Sequence, residues 1–585
     1  MKKLLSYLLV IVLVVNFSSC SEDYSGDIDD LQKQIDDLDK KVEDLKNQQL
    51  ADLLAEIAQL KSDIASLEDD LTDLDSDVLA NYNELLTNLQ ALEDEIANSG
   101  NAVYYGDMLT DADFTEFKAL GATVVIGKVA ATKQQHLDDL NAVKMISNNF
   151  SIAAGTTINL PYLETLGGDL YIFSMPDAGA TVSFPVLKSI ANDFVINNPV
   201  GLESISMPEL LVVFKDLKGV GLHNVNLLTM PKLDFVNSIY LEAEKSAVRG
   251  LATLDLSVTN VVEGVEIRGL AEGSEVNLGV VGEDIILSDN FLSSISFQNT
   301  DVYGDLVIEQ CKFLTSLSSP NLTSISGSFR FEWNLGGEGG LGNIALKSTS
   351  TEADVIKAFD KLETVGRDFI FSFNTIANVK GFHAVTSVGG NNSGDETGNI
   401  YVQGNMGVQQ MYILNNISSV AKGILIEGKC DAFTGFNMIT HHYGRFGDGQ
   451  PSIQLALSQR RDDNNVPVKL CTIDAFAKLT HTNGIFMDLG EVTGFGIDPV
   501  SRTMRTFGSI VSPGEELYLT VYLPSEDDAT FGTGKFGACS MSNFLTKVKN
   551  GDYDLYANSK AEFFDYNWNP LDYTTAVDAL LANCP

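Results

Sequence analysis

Basic residues are scarce in this chain: 38 lysines and arginines stand against 79 aspartates and glutamates, for a formal net charge of −41 at pH 7. Such a surface repels phosphate backbones, which excludes nucleic acid as a partner. Cysteine is also sparse, with six in 585 residues, and none has the paired C-x-x-C spacing of a zinc site. The six histidines, His136, His223, His383, His441, His442 and His481, form no H-E-x-x-H, and no G-x-S-x-G nucleophile elbow occurs. His441 and His442 are the best-placed metal candidates, yet neighbours on a strand point to opposite faces. GEGGLG (337–342) matches G-x-G-x-x-G without the strand-turn-helix context, and Glu338 would oppose a pyrophosphate. No cofactor, metal or catalytic residue is read from these motifs. Long apolar runs are missing too, except for Leu4 to Val15, which is too short to span a bilayer.

That run is the first thing present. Lys2 and Lys3 precede it, and the small residues Ser18 and Ser19 lead from it to Cys20, the layout of a signal peptide. The stretch resembles a bacterial lipoprotein signal, with Phe17 where such signals usually carry leucine. The resemblance implies removal of residues 1–19 and lipidation of Cys20, leaving 20–26 as lipid anchor and tether. Ser21-Glu22-Asp23 is similar to the surface-export signal of Bacteroidetes lipoproteins, which implies a lipid-anchored protein on the outer membrane, exposed at the cell surface. Each buried acyl methylene would contribute about 0.8 kcal/mol to anchoring.

Residues 27–100 read as an acidic coiled-coil stalk. Apolar residues recur at steps of three and four, first at Ile28, Leu31, Ile35, Leu38, Val42 and Leu45, then at Ile57, Leu60, Ile64, Leu67, Leu71, Leu74 and Val78. At the helical rise, 28–96 would reach about 100 Å. Ile or Val at a and Leu at d favour a parallel homodimer, but Asp63 would then face Glu68 and Asp70 face Asp75, so packing on another helix stays open. Between residues 21 and 100 there are 23 acidic and 5 basic side chains, a net of −18.

From residue 101 a repeat decides the fold. PYLETLGGDLYI (161–172), PVLKSIANDFVI (185–196) and PNLTSISGSFRF (320–331) each place apolar residues two, five, nine and eleven positions after a proline, and DKLETVGRDFIF (360–371) keeps those offsets. Weaker copies begin at Pro208 and Pro231, and HLDDLNAVKMISNNFSI (136–152) is expected to open the array. Offsets nine and eleven alternate, which predicts one short strand per repeat. Such a strand buries its inner face only by stacking on the next, so 101–429 is expected to be a mainly β, parallel β-solenoid. The pattern resembles bacterial leucine-rich repeats of the receptor L-domain type, found in ligand-binding ectodomains. TDADFTEFKAL (110–120) reads as an amphipathic N-terminal cap helix, while 334–359 and 391–399 read as insertions.

Residues 430–585 are expected to form an α/β region, either a separate domain or a continuation of the solenoid. CTIDAFAKL (471–479), CSMSNFLTKV (539–548) and YTTAVDALL (573–581) read as short helices. In an exported protein Cys430, Cys471, Cys539 and Cys584 are candidates for two disulfides, with three connectivities open. Cys311 reads as a small buried thiol.

Between the inward strand positions an outward row is expected, including Tyr171, Val195, Tyr240, Glu266, Ile286, Val307, Arg330, Ile370 and Tyr401, with Trp333 close by. Of these, Tyr171, Tyr240, Arg330, Trp333 and Tyr401 are the candidate ligand-binding residues, because aromatic rings stack on sugars or anchor protein partners. The sequence thus predicts non-catalytic recognition or adhesion toward a protein, peptide or glycan. Alternatives are an accessory subunit of an outer-membrane importer of peptide or glycan, which similar Bacteroidetes lipoproteins imply, and a glycan hydrolase with its site in 430–585.

Overall fold

The computed structural model describes residues 103–334 and 359–488, each with short gaps, shorter pieces at 494–495, 516–522, 560–564 and 570–572, and a few isolated positions. Cys20, Cys430, Cys471, Cys539, Cys584 and the insertion 335–358 lie outside the described residues, as does the stalk except Lys33, Asp36 and Asp37, which are helical and exposed. The chain divides into two units, Met1–Gly100 and Asn101–Pro585.

The second unit is a parallel β-solenoid. Strand Phe194–Asn197 lies in register between Leu170–Phe173 and strand Val212–Val220, with Phe194 beside Leu170 and Leu217. The same row continues through Phe235–Glu242, Val265–Arg268, Ile285–Ser288, Leu306–Glu309, Phe329–Glu332, Phe369–Ser372 and Ile400–Asn405. The step between rungs is not constant: Ile239 pairs with Val265, and Val265 with Ile285, steps of 26 and 20 residues. The inward positions read from the repeat are core: Leu163, Leu166, Leu170, Ile172, Leu322, Ile325, Phe329 and Phe331 are each at most 1% exposed. Burying each such side chain contributes about 1.5–3 kcal/mol, which no single rung achieves alone.

Each turn holds more than the one strand expected. A two-residue strand precedes the main one, as at Thr165–Leu166 and Ser189–Ile190. A third follows it at Thr157–Asn159, Ala180–Ser183, Leu202–Ser206 and Leu227–Thr229, forming its own parallel sheet. Strands of two or three residues are too short to display a period of two, and their backbone groups find partners only once the next rung is laid down.

The first rung is not the copy at 136–152: the array opens at Val103–Tyr105, which pairs with Val124–Ile126. Helix α1 (Asp111–Leu120) follows the first of these strands, and helix α2 (Gln134–Asp139) follows Val129–Ala131, so helices stand where later turns carry the third strand. Asp113 starts α1 by accepting from the Thr110 amide at 2.7 Å, and Gly121 ends it at φ 60°, a conformation that glycine adopts without strain. Phe114 of α1 stacks on His136 of α2 at 3.9 Å.

Beyond residue 430, strands Ile453–Ser458, Gly484–Asp488, Glu516–Tyr522 and Lys560–Phe564 add in parallel to the main row. Pro570–Leu571 then pairs antiparallel. The helix expected at 471–479 is instead strand Thr472–Ala475 and a turn. Ala475, Phe476 and Leu479 are fully buried there; their spacing of three and four mimics a helix, but burial on the neighbouring rung decides.

Candidate ligand-binding sheet face

Two polar ladders and one aromatic column shape the main sheet's outer face. At the corner before several of the main strands, an acid or amide accepts the amide of its counterpart one rung on. Asn149 accepts from Asp169 N (3.0 Å), Asp169 from Asp193 N (3.1 Å), and Asp193 from Asp216 N (3.1 Å). Farther along, Asp284 accepts from Asp305 N and Asp305 from Ser328 N, at 2.6 and 2.7 Å. These carboxylates therefore hold the rungs together, and the sequence alone did not distinguish them from other surface acids.

A second ladder runs inside the turn after the strand. Asn290, Asn334, Asn374 and Asn405 are buried. Asn334 donates its side-chain amide to Ile308 O (2.7 Å), and its oxygen accepts from Cys311 N (2.8 Å). Asn374 does the same with Phe331 O (2.9 Å) and Asn334 N (3.0 Å). Cys311 occupies one rung of this ladder, just past its strand, and donates its thiol to Leu287 O at 3.7 Å. The thiol is buried, as expected, and burial pushes its pKa up to about 12.

The residue before each ladder position is left-handed: Asp289, Gln310, Trp333 and Phe373 have φ of 54°, 54°, 55° and 56°, and Gly404 follows at 63°. Bulky side chains adopt this region only where surrounding structure imposes it; here the buried amides on the next residue do so. The result is a third, outward column. Trp333 and Phe373 stack at 4.4 Å and 10°, and Trp333 is 38% exposed. Phe373 in turn covers Gly404, where a Cβ would lie 2.3 Å from its ring.

Beside this column runs the outward row of the strands themselves. Tyr171, Val195, Lys218, Tyr240, Glu266, Ile286, Val307, Arg330, Ile370 and Tyr401 follow one another as direct register partners. Four of the five candidate residues therefore share one row, and Trp333 stands in the adjacent column. Lys218 also belongs to the row and was missed by the repeat alignment. All ten side chains are half-buried, and Tyr401 lies under Phe446 at 5.7 Å.

Charge on this face is paired within the sheet. Tyr171 donates to Asp169 (3.1 Å) and Tyr240 to Glu242 (2.5 Å). Burial and the Asp169 bond raise the Tyr171 pKa, while the Glu242 bond and burial raise that of Tyr240, so both remain neutral hydroxyls. Lys218 is 2.7 Å from Asp216 and 3.7 Å from Asp193; the Asp216 contact raises its pKa. Arg268 pairs with Glu266, and Arg330 with Glu332 at 3.4 Å. Desolvation raises the Glu332 pKa against the pull of Arg330. Apart from Glu309, the register partner of Glu332, what lies between these pairs is ring and aliphatic surface. Among the described residues no group of three or more His, Cys, Asp or Glu is placed to hold a metal, and no helix is long and apolar enough to cross a membrane.

No family model and no solved structure matches this chain. It is similar to the cell wall protein ecm33 of Schizosaccharomyces pombe, with 22% identity over 234 residues, 35% of this chain and 53% of that protein. The chain thus spans about half the length of the curated relative it matches.

Proposed function

We propose that this protein is a non-catalytic recognition or adhesion protein of the cell surface, whose solenoid binds an extended, largely uncharged ligand, a peptide or glycan, along the outward row from Tyr171 to Tyr401 and the adjoining Trp333–Phe373 stack. In this reading the turns are leucine-rich repeats of the receptor L-domain type, Cys20 carries the lipid anchor on the outer membrane, and 27–100 is the stalk.

One observation carries the proposal. Two large aromatic side chains are held in a left-handed conformation, one per rung, with their rings stacked and the tryptophan open to solvent. Backbone strain of that kind costs about 1–3 kcal/mol per residue and concentrates at binding sites. Flat apolar rings suit the apolar faces of sugars or the side chains of a peptide, and the internal pairing of charge favours a neutral ligand over a polyanion. The similarity to a protein called a cell wall protein supports a surface role, and that name carries no reaction.

A glycan and peptide array probed with the purified chain tests this reading. Binding to a defined hit should weaken at least about tenfold in Trp333→Ala and in Tyr240→Ala, the range of an interface anchor. A hit whose affinity neither substitution changes places the binding surface elsewhere.

A further inference from the structure

His441 and His442 form a two-residue strand that pairs in parallel with His481–Thr482 of the next turn, His441 beside His481 and His442 beside Thr482. Alternation turns His442 inward, where it is buried, and leaves His441 exposed and His481 half-buried on the outer side. His441 and His442 thus point to opposite faces, as strand alternation predicts, and do not share an ion. Another pair is brought together instead: the rings of His441 and His481 stack at 5.0 Å and 10°, with Tyr443 alongside at 6.2 Å.

The hydrogen bonds around these rings engage Nδ1 of each and, at His481, fix the tautomer. Nδ1 of His441 lies 3.1 Å from the Thr440 hydroxyl, and Nδ1 of His481 lies 3.0 Å from the Thr480 hydroxyl. The Thr480 hydroxyl already donates its proton to Thr440 O at 2.8 Å, so toward His481 it accepts. His481 must then carry its proton on Nδ1, leaving the Nε2 lone pair free. A hydroxyl or carbonyl fixing one nitrogen while the other is offered outward is the arrangement that orients histidines as metal ligands.

We infer that His441 and His481 form a two-histidine anchoring site for a divalent transition metal of the imidazole-preferring class, copper(II), nickel(II) or zinc(II), bound through both Nε2 atoms with water completing the sphere. Metal–nitrogen bonds of about 2.0–2.1 Å require the two Nε2 atoms to come within roughly 4 Å. From centroids 5.0 Å apart and nearly parallel, the rings must tilt about their side-chain bonds to aim both lone pairs at one ion, and His441, which is exposed, has its solvent side open for that tilt. The site lies on the short-strand side of the turn, apart from the outward row of the main sheet, and is independent of the ligand-binding reading.

The test is a copper(II) titration of the full chain without a histidine tag, at pH 7.4, followed by electron paramagnetic resonance with pulsed detection of imidazole nitrogen. The first equivalent should show two coupled imidazoles. His441→Asn and His481→Asn should each weaken it about a hundredfold, the gain expected from tethering a second ligand. The double variant should lose little more than either single one, because a chelate fails when one arm is removed. His383→Asn should leave the first equivalent unchanged, and a melting curve for each variant separates loss of metal from loss of fold. Retention of the two-imidazole signal in either folded single variant overturns the inference, as does a double variant whose losses simply add.

Discussion

Replacing Asn374 by alanine probes how the strained aromatic column is held. Asn374 is fully buried. Its oxygen accepts from Asn334 N at 3.0 Å, and its amide donates to Phe331 O at 2.9 Å and to Asn405 Oδ1 at 3.1 Å. Alanine leaves the Asn334 N–H buried without a partner and removes one donor from the Phe331 C=O, which also lies in the strand ladder to the next rung. One orphaned donor at about 1–3 kcal/mol and one lost hydrogen bond at about 0.5–1.5 kcal/mol give an expected loss of about 1.5–4.5 kcal/mol. In a solenoid, where each turn contacts mainly its neighbours, the damage should concentrate on the rungs bearing Trp333, Phe373 and Asn405. Urea unfolding gives the size of the effect, and amide hydrogen exchange resolved by peptide gives its location. Asn374→Asp keeps an acceptor for Asn334 N but loses the donor to Phe331 O and buries a charge. It should be at least as damaging at pH 7 and recover in part on acidification as the carboxyl protonates. A loss below about 1 kcal/mol, or faster exchange spread evenly over the solenoid, would refute the ladder's role.

Three further outcomes follow from the same geometry. Cys311 holds an asparagine position with weaker sulfur hydrogen bonds, so Cys311→Asn should raise stability by up to about 1 kcal/mol in urea; destabilisation would mean that side-chain shape governs that rung. Gly404→Ala should displace the Phe373 ring, which a Cβ would meet at 2.3 Å, and so shift Trp333 fluorescence and weaken ligand binding together. His442 is buried, and desolvation lowers its pKa to about 4 against hydrogen bonds to the Ser452 and Val420 backbone. The unfolded chain binds its proton at about 6.5, so the stability of the neutral folded form is intact above that pH and falls as pH drops toward 4, by about 3 kcal/mol in all. His442→Gln should flatten the denaturation midpoint across this window.

The chain's own spacing determined the parallel solenoid, the inward leucines, isoleucines and phenylalanines, and the shared row of Tyr171, Tyr240, Arg330 and Tyr401. These follow from periods of two along a strand and about 23 between copies, both visible without a structure. Trp333 was also placed near that row, but its stacking on Phe373, a rung away across a long insertion, was not legible. Nor was the pairing of His441 with His481, because rung length varies and only the backbone register decides which residue lands beside which. The third strand of each turn, the strand in place of a helix at 472–475 and the Asn–Cys ladder share that cause. Local propensity there is weak or misleading, and hydrogen bonds and burial supplied by the adjacent turn settle the outcome.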